Sequence, residues 1–531
     1  MHDLLIKNAL IYDGTGAKPY IGFVAVTGGK IAAVDAGVPL TENAVKVVDA
    51  KGFSLSPGFI DVHSHSDYVI TEDPHRVHIL KMGVTTELAG QCGYSRSPAM
   101  EGMDAASLAV VQKGPTPLAR TTQEELERLQ TLPLGTNQAY FTGHGLLRAG
   151  VVGLRSGSLQ EAQIEKMQQE LAESMKQGSH GVSTGLSYVP GIYSNTHELT
   201  AMGKTAGEHG GIYTTHSRSE SMGLFKSVEE CIHIAREGKV PVNISHFKCV
   251  GKVFWERCEK ALAMIDEAIA EGLDITLDAY PYTACSTTTL TAIPPQFLDR
   301  GVEAFVESLE DPEIVEQIRR EIYEVNDPSW DNSMYYVGLE NFLIVRAAQT
   351  PWAIGKTYAQ AAAELGMEPF EGMIHLLKAN RGNVFEVRFA MCEENVEMIL
   401  KHPRCMVGSD SAFIPGNTSS HPRVFGTFPR YLGRYIRERK ILSREEGIHR
   451  ITGMPATVYG LQGKGFLKPG MDADLVLFDY ETIIDQADFL NPFQSNIGIR
   501  QVYVDGKLTL EDNVPTGCWA GKYLWKKHEQ S

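Results

Sequence analysis

The stretch Pro57-Gly58-Phe59-Ile60-Asp61-Val62-His63-Ser64-His65 reads as a short buried strand that ends in two histidines one residue apart. Side chains alternate along a strand, so His63 and His65 project to the same side. Two imidazoles side by side can hold a divalent metal, although His-x-His alone is a weak signal. The rest of the chain decides the matter through what it places at the ends of its other strands.

Outward from this strand, the chain alternates short apolar strands with amphipathic helical stretches. Strand ends are expected at 63–65, 87–93, 142–145, 183–186, 214–216, 244–246, 277–280 and 407–410. Helical periodicity is clear at 161–177, 228–237 and 256–271. Eight such alternations predict a TIM-type (β/α)8 barrel, whose catalytic groups sit at the C-terminal ends of the strands. The barrel is expected over 57–455. The interval after Ser286 is too long for one connection, and 286–350 reads as an insertion or lid bordering the site.

The two chain ends read differently. Residues 4–50 are short strands, with Gly28-Gly29 between apolar runs as a hairpin signal, and a matching pattern returns at 474–509 with Asp505-Gly506 as a second tight turn. These imply a small β-sandwich built from 1–56 and 456–525.

The bulk properties narrow the function. The chain has 531 residues and a formal net charge of −16, which argues against nucleic acid as partner. No signal peptide and no run of about 18 apolar residues is seen, so no membrane association is expected. Eight cysteines without paired spacing fit reduced thiols and a cytoplasmic location. Oligomeric state is not legible.

Four more ligand-type residues fall at expected strand ends: Cys92 between Gly90-Gln91 and Gly93, His216, His246 and Asp410. Singly, a cysteine is usually a small hydrophobe, a histidine a hydrogen-bonded core group and an aspartate an N-cap. Together, at one face of one barrel, they point to a metal. Sulfur, imidazole and carboxylate suit Zn2+, whereas a thiolate disfavours magnesium or calcium. Catalytic zinc makes hydroxide available near neutral pH, and Asp410 beside it can move a proton, so hydrolysis of an amide-like bond is expected.

At this point the chain resembles the amidohydrolase superfamily, and within it the D-aminoacylase (N-acyl-D-amino-acid deacylase) family. The matching motifs are Gly83-Val84-Thr85-Thr86, Gly90-Gln91-Cys92-Gly93, Gly143-His144-Gly145, Ser183-Thr184-Gly185-Leu186-Ser187-Tyr188, His216-Ser217-Arg218-Ser219-Glu220, Ser245-His246-Phe247-Lys248, Asp278-Ala279-Tyr280-Pro281-Tyr282-Thr283, Gly408-Ser409-Asp410 and Ser420-His421-Pro422-Arg423. The resemblance implies a tightly bound zinc on Cys92, His216 and His246, with His63, His65 and Asp410 bordering a second, weaker position. It implies Asp410 as catalytic acid/base, and Tyr188, Lys248 and Arg423 as the groups that hold the substrate's α-carboxylate. Lys248 follows His246 by two residues, which on a strand would place both on one side.

The sequence departs from the family pattern at Gln91, where asparagine is common, and at Ser221, where glycine is usual. The expected reaction is hydrolysis of an N-acyl-D-amino acid, a small-molecule substrate, to a carboxylate and a free D-amino acid. The alternative keeps the metal site and takes a D- or isoaspartyl-type dipeptide or a cyclic amide.

Overall fold

The computed structural model describes residues 1–39, 43–325 and 327–526. Five strands open the chain: β1 (His2–Ile11), β2 (Tyr20–Thr27), β3 (Lys30–Ala36), β4 (Ala44–Asp49) and β5 (Ser54–Pro57). In β1 the register shifts between Ile6 and Ala9, where Asn8 takes a left-handed φ of 58°. This bulge moves the buried set from Leu4 and Ile6 to Ala9 and Ile11, and it lets β1 pair in parallel with β4 through its first half and with β5 through its second. The Gly28-Gly29 turn has positive φ at both residues, as a tight primed hairpin requires.

The barrel follows. Its strands are β6 (Phe59–Asp61), β7 (Val84–Ala89), β8 (Asn137–Tyr140) with its continuation β9 (Thr142–Gly143), β10 (Gly181–Gly185), β11 (Ile212–His216), β12 (Val242–Ile244) and β13 (Ile275–Ala279). Adjacent strands pair in parallel, and they are buried along nearly their whole length, as strands covered on both faces are. Helices such as Glu161–Lys176, Leu224–Gly238 and Arg257–Ala270 return along the outside with their apolar faces inward.

Before the last barrel strand the chain leaves the barrel. β14 (Cys285–Thr288), β15 (Phe342–Arg346) and β16 (Phe385–Arg388) form an antiparallel sheet with β16 in the middle. With the surrounding helices they enclose a separate core of Phe305, Ile318, Trp330, Phe342, Tyr358 and Phe370. The inserted unit therefore runs to Arg388, beyond the 286–350 expected from sequence. The helices at Tyr358–Glu364 and Pro369–Ala379 carry the periodicity of barrel helices, yet they pack on this second core. Chain and barrel rejoin at β17 (Cys405–Val407), which pairs with β13, and a bridge between Ser64 and Ser411 closes the circle.

The C-terminal strands β18 (Leu475–Phe478), β19 (Ile499–Val504), β20 (Lys507–Glu511) and β21 (Val514–Pro515) extend the first sheet through β18 against β5. The two chain ends thus make one continuous nine-stranded sheet, branched at β1. Its β3 edge curls back to the segment before β18, with Ala473 N donating to Gly29 O at 2.9 Å, and encloses Leu4, Ile11, Val24, Leu475 and Tyr503. Among the described residues all eight cysteines are free, and no helix is long and apolar enough to cross a membrane.

Candidate functional site

The barrel's C-terminal end brings the six expected ligand-type residues to one place. His63 and His65 lie just past β6, Cys92 past β7, His216 at the end of β11, His246 past β12 and Asp410 past β17. Cys92 Sγ is 3.4 Å from His63 Nε2, 3.6 Å from His246 Nε2 and 3.9 Å from His216 Nδ1. Asp410 Oδ1 lies 3.1 Å from His65 Nε2 and 3.7 Å from His63 Nε2. Three of these residues, Cys92 (φ 55°), His246 (φ 36°) and Asp410 (φ 50°), hold a left-handed backbone that side chains disfavour, a strain that concentrates at functional sites. Gly90 beside Cys92 also has positive φ, and a Cβ there would meet Phe141 O at 2.2 Å, so only glycine lets that loop close.

Ligand atoms of Cys92, His216 and His246 lie within 4.8 Å of one another, and so do those of His63, His65 and Cys92. Cys92 is shared by both sets. A thiolate with imidazoles is a donor set that fits zinc. Burial would push the Cys92 thiol up, but His63 and the imidazoles bonded to it hold it well below the usual range.

Carboxylates buttress this cluster from behind. Asp278 lies 3.4 Å from His63 Nδ1 and accepts from the His246 backbone N–H at 2.8 Å and from Asn243 at 2.6 Å. Glu220 sits 3.1 Å from His246 Nδ1 and 2.5 Å from Lys248 Nζ, and the pair with Lys248 overrides burial to bring its carboxyl down. Asp61 accepts from the Ser409 backbone N–H at 2.8 Å and from the Ser409 hydroxyl, tying the Asp410 loop to the His63 loop. Such partners orient ligands as much as the ligands themselves do. Sequence reading assigned no role to Asp278 or Glu220, although Asp278 opens and Glu220 closes a quoted motif; a carboxylate near the end of a barrel strand was the available signal.

The groups expected to grip a carboxylate are arranged less simply. Arg423 Nη1 is 2.9 Å from Asp410 Oδ2, and Lys248 Nζ is 2.7 Å from His246 Nδ1. The strand-alternation argument for Lys248 does not hold, because β12 ends at Ile244 and His246 is left-handed. The side chain reaches the site through a loop. The Tyr188 hydroxyl pairs with Thr287 at 3.2 Å and its ring stands edge-on to His216 at 4.9 Å. Tyr280 is the group that sequence reading passed over: the Arg423 guanidinium lies 4.8 Å and Lys248 Nζ 5.7 Å from its ring centre, and its buried hydroxyl has no hydrogen-bond partner among the described residues.

Gln91 and Ser221, the two departures from the family pattern, are both absorbed. Gln91 donates to Val62 O at 3.0 Å and accepts from Thr214 at 2.8 Å. Ser221 donates at 2.5 Å to Asp331, a residue of the insertion that also accepts from Ser219 and, at 2.6 Å, from the Glu220 backbone N–H. His144 is buried against Glu198 at 2.8 Å, away from the cluster of ligands.

All of this opens into a cavity of about 980 Å³ between the barrel mouth and the insertion. Cys92, His216, Lys248, Tyr280, Asp410 and Arg423 line its inner end. A substrate of moderate size fits such a pocket, with its polar groups fixed by a few convergent side chains.

Residues 46–510 match the model of the amidohydrolase family. A D-aminoacylase of Alcaligenes xylosoxydans xylosoxydans is 31% identical over 98% of this chain and 97% of its own length. An N-acyl-D-aspartate deacylase of the same organism is 32% identical over 95% of this chain and 91% of its own. The crystal structure of an N-acyl-D-glutamate deacylase from Bordetella bronchiseptica, complexed with zinc and a phosphonate mimic of the tetrahedral intermediate, superposes with a TM-score of 0.83 at 31% identity, covering 99% of this chain and all of that one.

Proposed function

Because the chain belongs to the amidohydrolase family, in the branch of the D-aminoacylases, we propose that it is a zinc-dependent hydrolase that cleaves N-acyl-D-amino acids to a carboxylate and a free D-amino acid. The observation that carries this reading is the cysteine–histidine cluster of Cys92, His216 and His246 at the mouth of a barrel, facing a pocket whose wall holds Arg423 and Lys248.

In this reading Cys92, His216 and His246 hold the principal zinc, and His63, His65 and Asp410 border a weaker position. A bound zinc supplies Lewis acidity and lowers the pKa of water toward neutrality. Asp410, held ionised by Arg423 and the neighbouring imidazoles, accepts a proton from the attacking water and returns it to the departing nitrogen. Arg423, Lys248 and the free hydroxyl of Tyr280 bind the α-carboxylate and so set the scissile amide over the cluster. Tyr188 packs beside His216 and closes the pocket against the β14 strand. The insertion forms the outer wall of the site. Cyclic amides lack the carboxylate that this arrangement would grip, which favours a linear substrate.

The test is product analysis with zinc-loaded protein and N-acetyl-D-leucine. Equimolar acetate and D-leucine are expected, with little release from the L-isomer. Absence of both products across a panel of N-acyl-D-amino acids would overturn the reading.

A further inference from the structure

The inner end of the pocket is polar, but the walls of its outer part are aliphatic. On the barrel side they are made by Val110, Val189 and Ile192, and on the insertion side by Leu290, Leu298, Val302 and Val306. The charged groups Lys113, Glu303, Glu307 and Arg381 stand exposed at the rim, and Arg346 is stacked 3.5 Å from the centre of the Phe385 ring.

The helix Val302–Ser308 is apolar on two faces. Phe305, with Leu309 just past the helix end, is buried in the core of the insertion. Val302 and Val306, one turn apart on another face, line the cavity and are only half-buried. A helix face of this kind is stabilised by apolar cover. The wall is continuous with its neighbours: a Cβ added at Gly382 would lie 2.5 Å from Val302, 3.6 Å from Val306 and 3.7 Å from Leu290. Opposite them, Val189 packs both on the insertion core and on the barrel-side cluster of Tyr94 and Val110, against which Val302 also rests.

This chamber adjoins the metal-type cluster on one particular side. The Tyr188 ring lies 4.9 Å from that of His216, the Tyr94 ring 5.7 Å from that of Tyr188, and the Tyr94 hydroxyl donates to Val189 O at 3.2 Å. The whole cavity, about 980 Å³, stands at the upper end of the roughly 300–1,000 Å³ that drug-sized ligands occupy, far more than an N-acetyl amino acid fills.

We propose that the outer chamber receives a long aliphatic acyl chain, so that the enzyme favours fatty-acyl D-amino acids and cleaves N-acetyl substrates less well. This rests on the function proposed above and names its acyl group. Water adds across the amide, and a fatty acid and the D-amino acid leave. The acyl group is selected over the amino-acid side chain by where each begins. With the α-carboxylate at Arg423 and Lys248, the side chain starts on the carbon that bears that carboxylate. The acyl chain starts on the far side of the scissile carbonyl, next to His216 and Tyr188, where the aliphatic wall opens.

Three substrates separate the two sources of an alkyl chain: N-acetyl-D-norleucine, N-octanoyl-D-norleucine, and N-acetyl-D-2-aminododecanoate, whose side chain carries the same six extra methylenes. Each buried methylene should raise kcat/KM about two- to fourfold, so the octanoyl substrate is expected to exceed the acetyl parent by about fiftyfold or more. The long side chain should gain much less. In the double variant Val302→Asn with Val306→Asn the octanoyl-to-acetyl ratio should fall about tenfold or more, whereas Val306→Leu should keep it. Equal kcat/KM for acetyl and octanoyl substrates, an equal or larger gain from the long side chain, or a ratio that survives the double variant overturns the proposal and leaves the deacylase reading intact. If none of the three is cleaved, the deacylase reading fails, and calorimetric binding of the octanoyl and acetyl compounds decides the chamber. Tighter octanoyl binding that the double variant abolishes supports it, and equal binding, or a preference the variant retains, overturns it.

Discussion

Arg423 Nη1 contacts Asp410 Oδ2 at 2.9 Å, so the group that would bind the substrate's carboxylate also touches the group that would move its proton. Substrate binding and proton transfer therefore share one guanidinium. Arg423→Met is expected to raise KM for N-acetyl-D-leucine about ten- to hundredfold, the equivalent of about 1.5–3 kcal/mol for a charged hydrogen bond. N-acetyl-D-leucinamide, which lacks the carboxylate, should suffer less in KM. Equal increases for acid and amide would remove Arg423 from carboxylate recognition.

Asp410 itself is tested by removing its basicity without its shape. Asp410→Asn should lower kcat by about 10²–10⁴-fold, the range typical of a positioned acid/base. The principal zinc set does not include Asp410, so zinc bound per chain should be unchanged. Loss of zinc in parallel with kcat would make Asp410 a ligand first.

Asp331 links the insertion to the catalytic face. It fixes the Ser219–Ser221 loop, and Glu220 of that loop holds Lys248 and His246. Asp331→Ala leaves those donors without their acceptor, and kcat/KM should fall about tenfold or more. Asp331→Asn retains part of the network and should recover part of the loss. A melting temperature that drops with no change in kcat/KM would give Asp331 a structural role alone.

Behind the site, fully buried Glu198 accepts from His144 at 2.8 Å and from Arg148 at 2.8 Å. Burial would raise its carboxyl, but these two partners bring it below the ordinary value of 4.5. A lowered native value means stability that is fully present above pH 4.5 and is lost as pH falls through the native value. Glu198→Gln should therefore destabilise at pH 7 by about 3–5 kcal/mol, as breaking a buried pair does. The difference in melting temperature from the parent protein should shrink below pH 4.5. A difference constant down to pH 3 would contradict the pairing.

The barrel was legible because its strands are buried on both faces and bounded by polar ends, a pattern that repeats from Phe59 to Val407. The ligand-type residues were legible because barrel chemistry concentrates at those ends, and Cys92, His216, His246 and Asp410 each stand at one. The extent of the insertion was not, since Tyr358–Ala379 has the apolar spacing of a barrel helix and only tertiary packing assigns it to the core around Phe305 and Phe342. Lys248 was placed for the wrong reason: strand alternation was assumed where the chain has left the strand and turned through a left-handed His246. Tyr280 escaped notice because an aromatic in a strand-end motif usually packs, and the approach of two cations to its ring is a feature of three-dimensional placement. The pairing of Arg423 with Asp410 joins residues thirteen apart, across a loop whose path no local pattern encodes.

The central claim is that zinc on Cys92, His216 and His246 drives cleavage of N-acyl-D-amino acids. The most direct measurement is to strip the protein of metal, add zinc stepwise, and follow zinc bound per chain and release of D-leucine from N-acetyl-D-leucine together, in the parent protein and in Cys92→Ser. The account predicts that D-specific activity rises with the first equivalent of zinc in the parent protein and that Cys92→Ser neither retains that zinc nor gains that activity. Full activity in the stripped protein, or a Cys92→Ser protein that binds zinc and cleaves as the parent does, would contradict it.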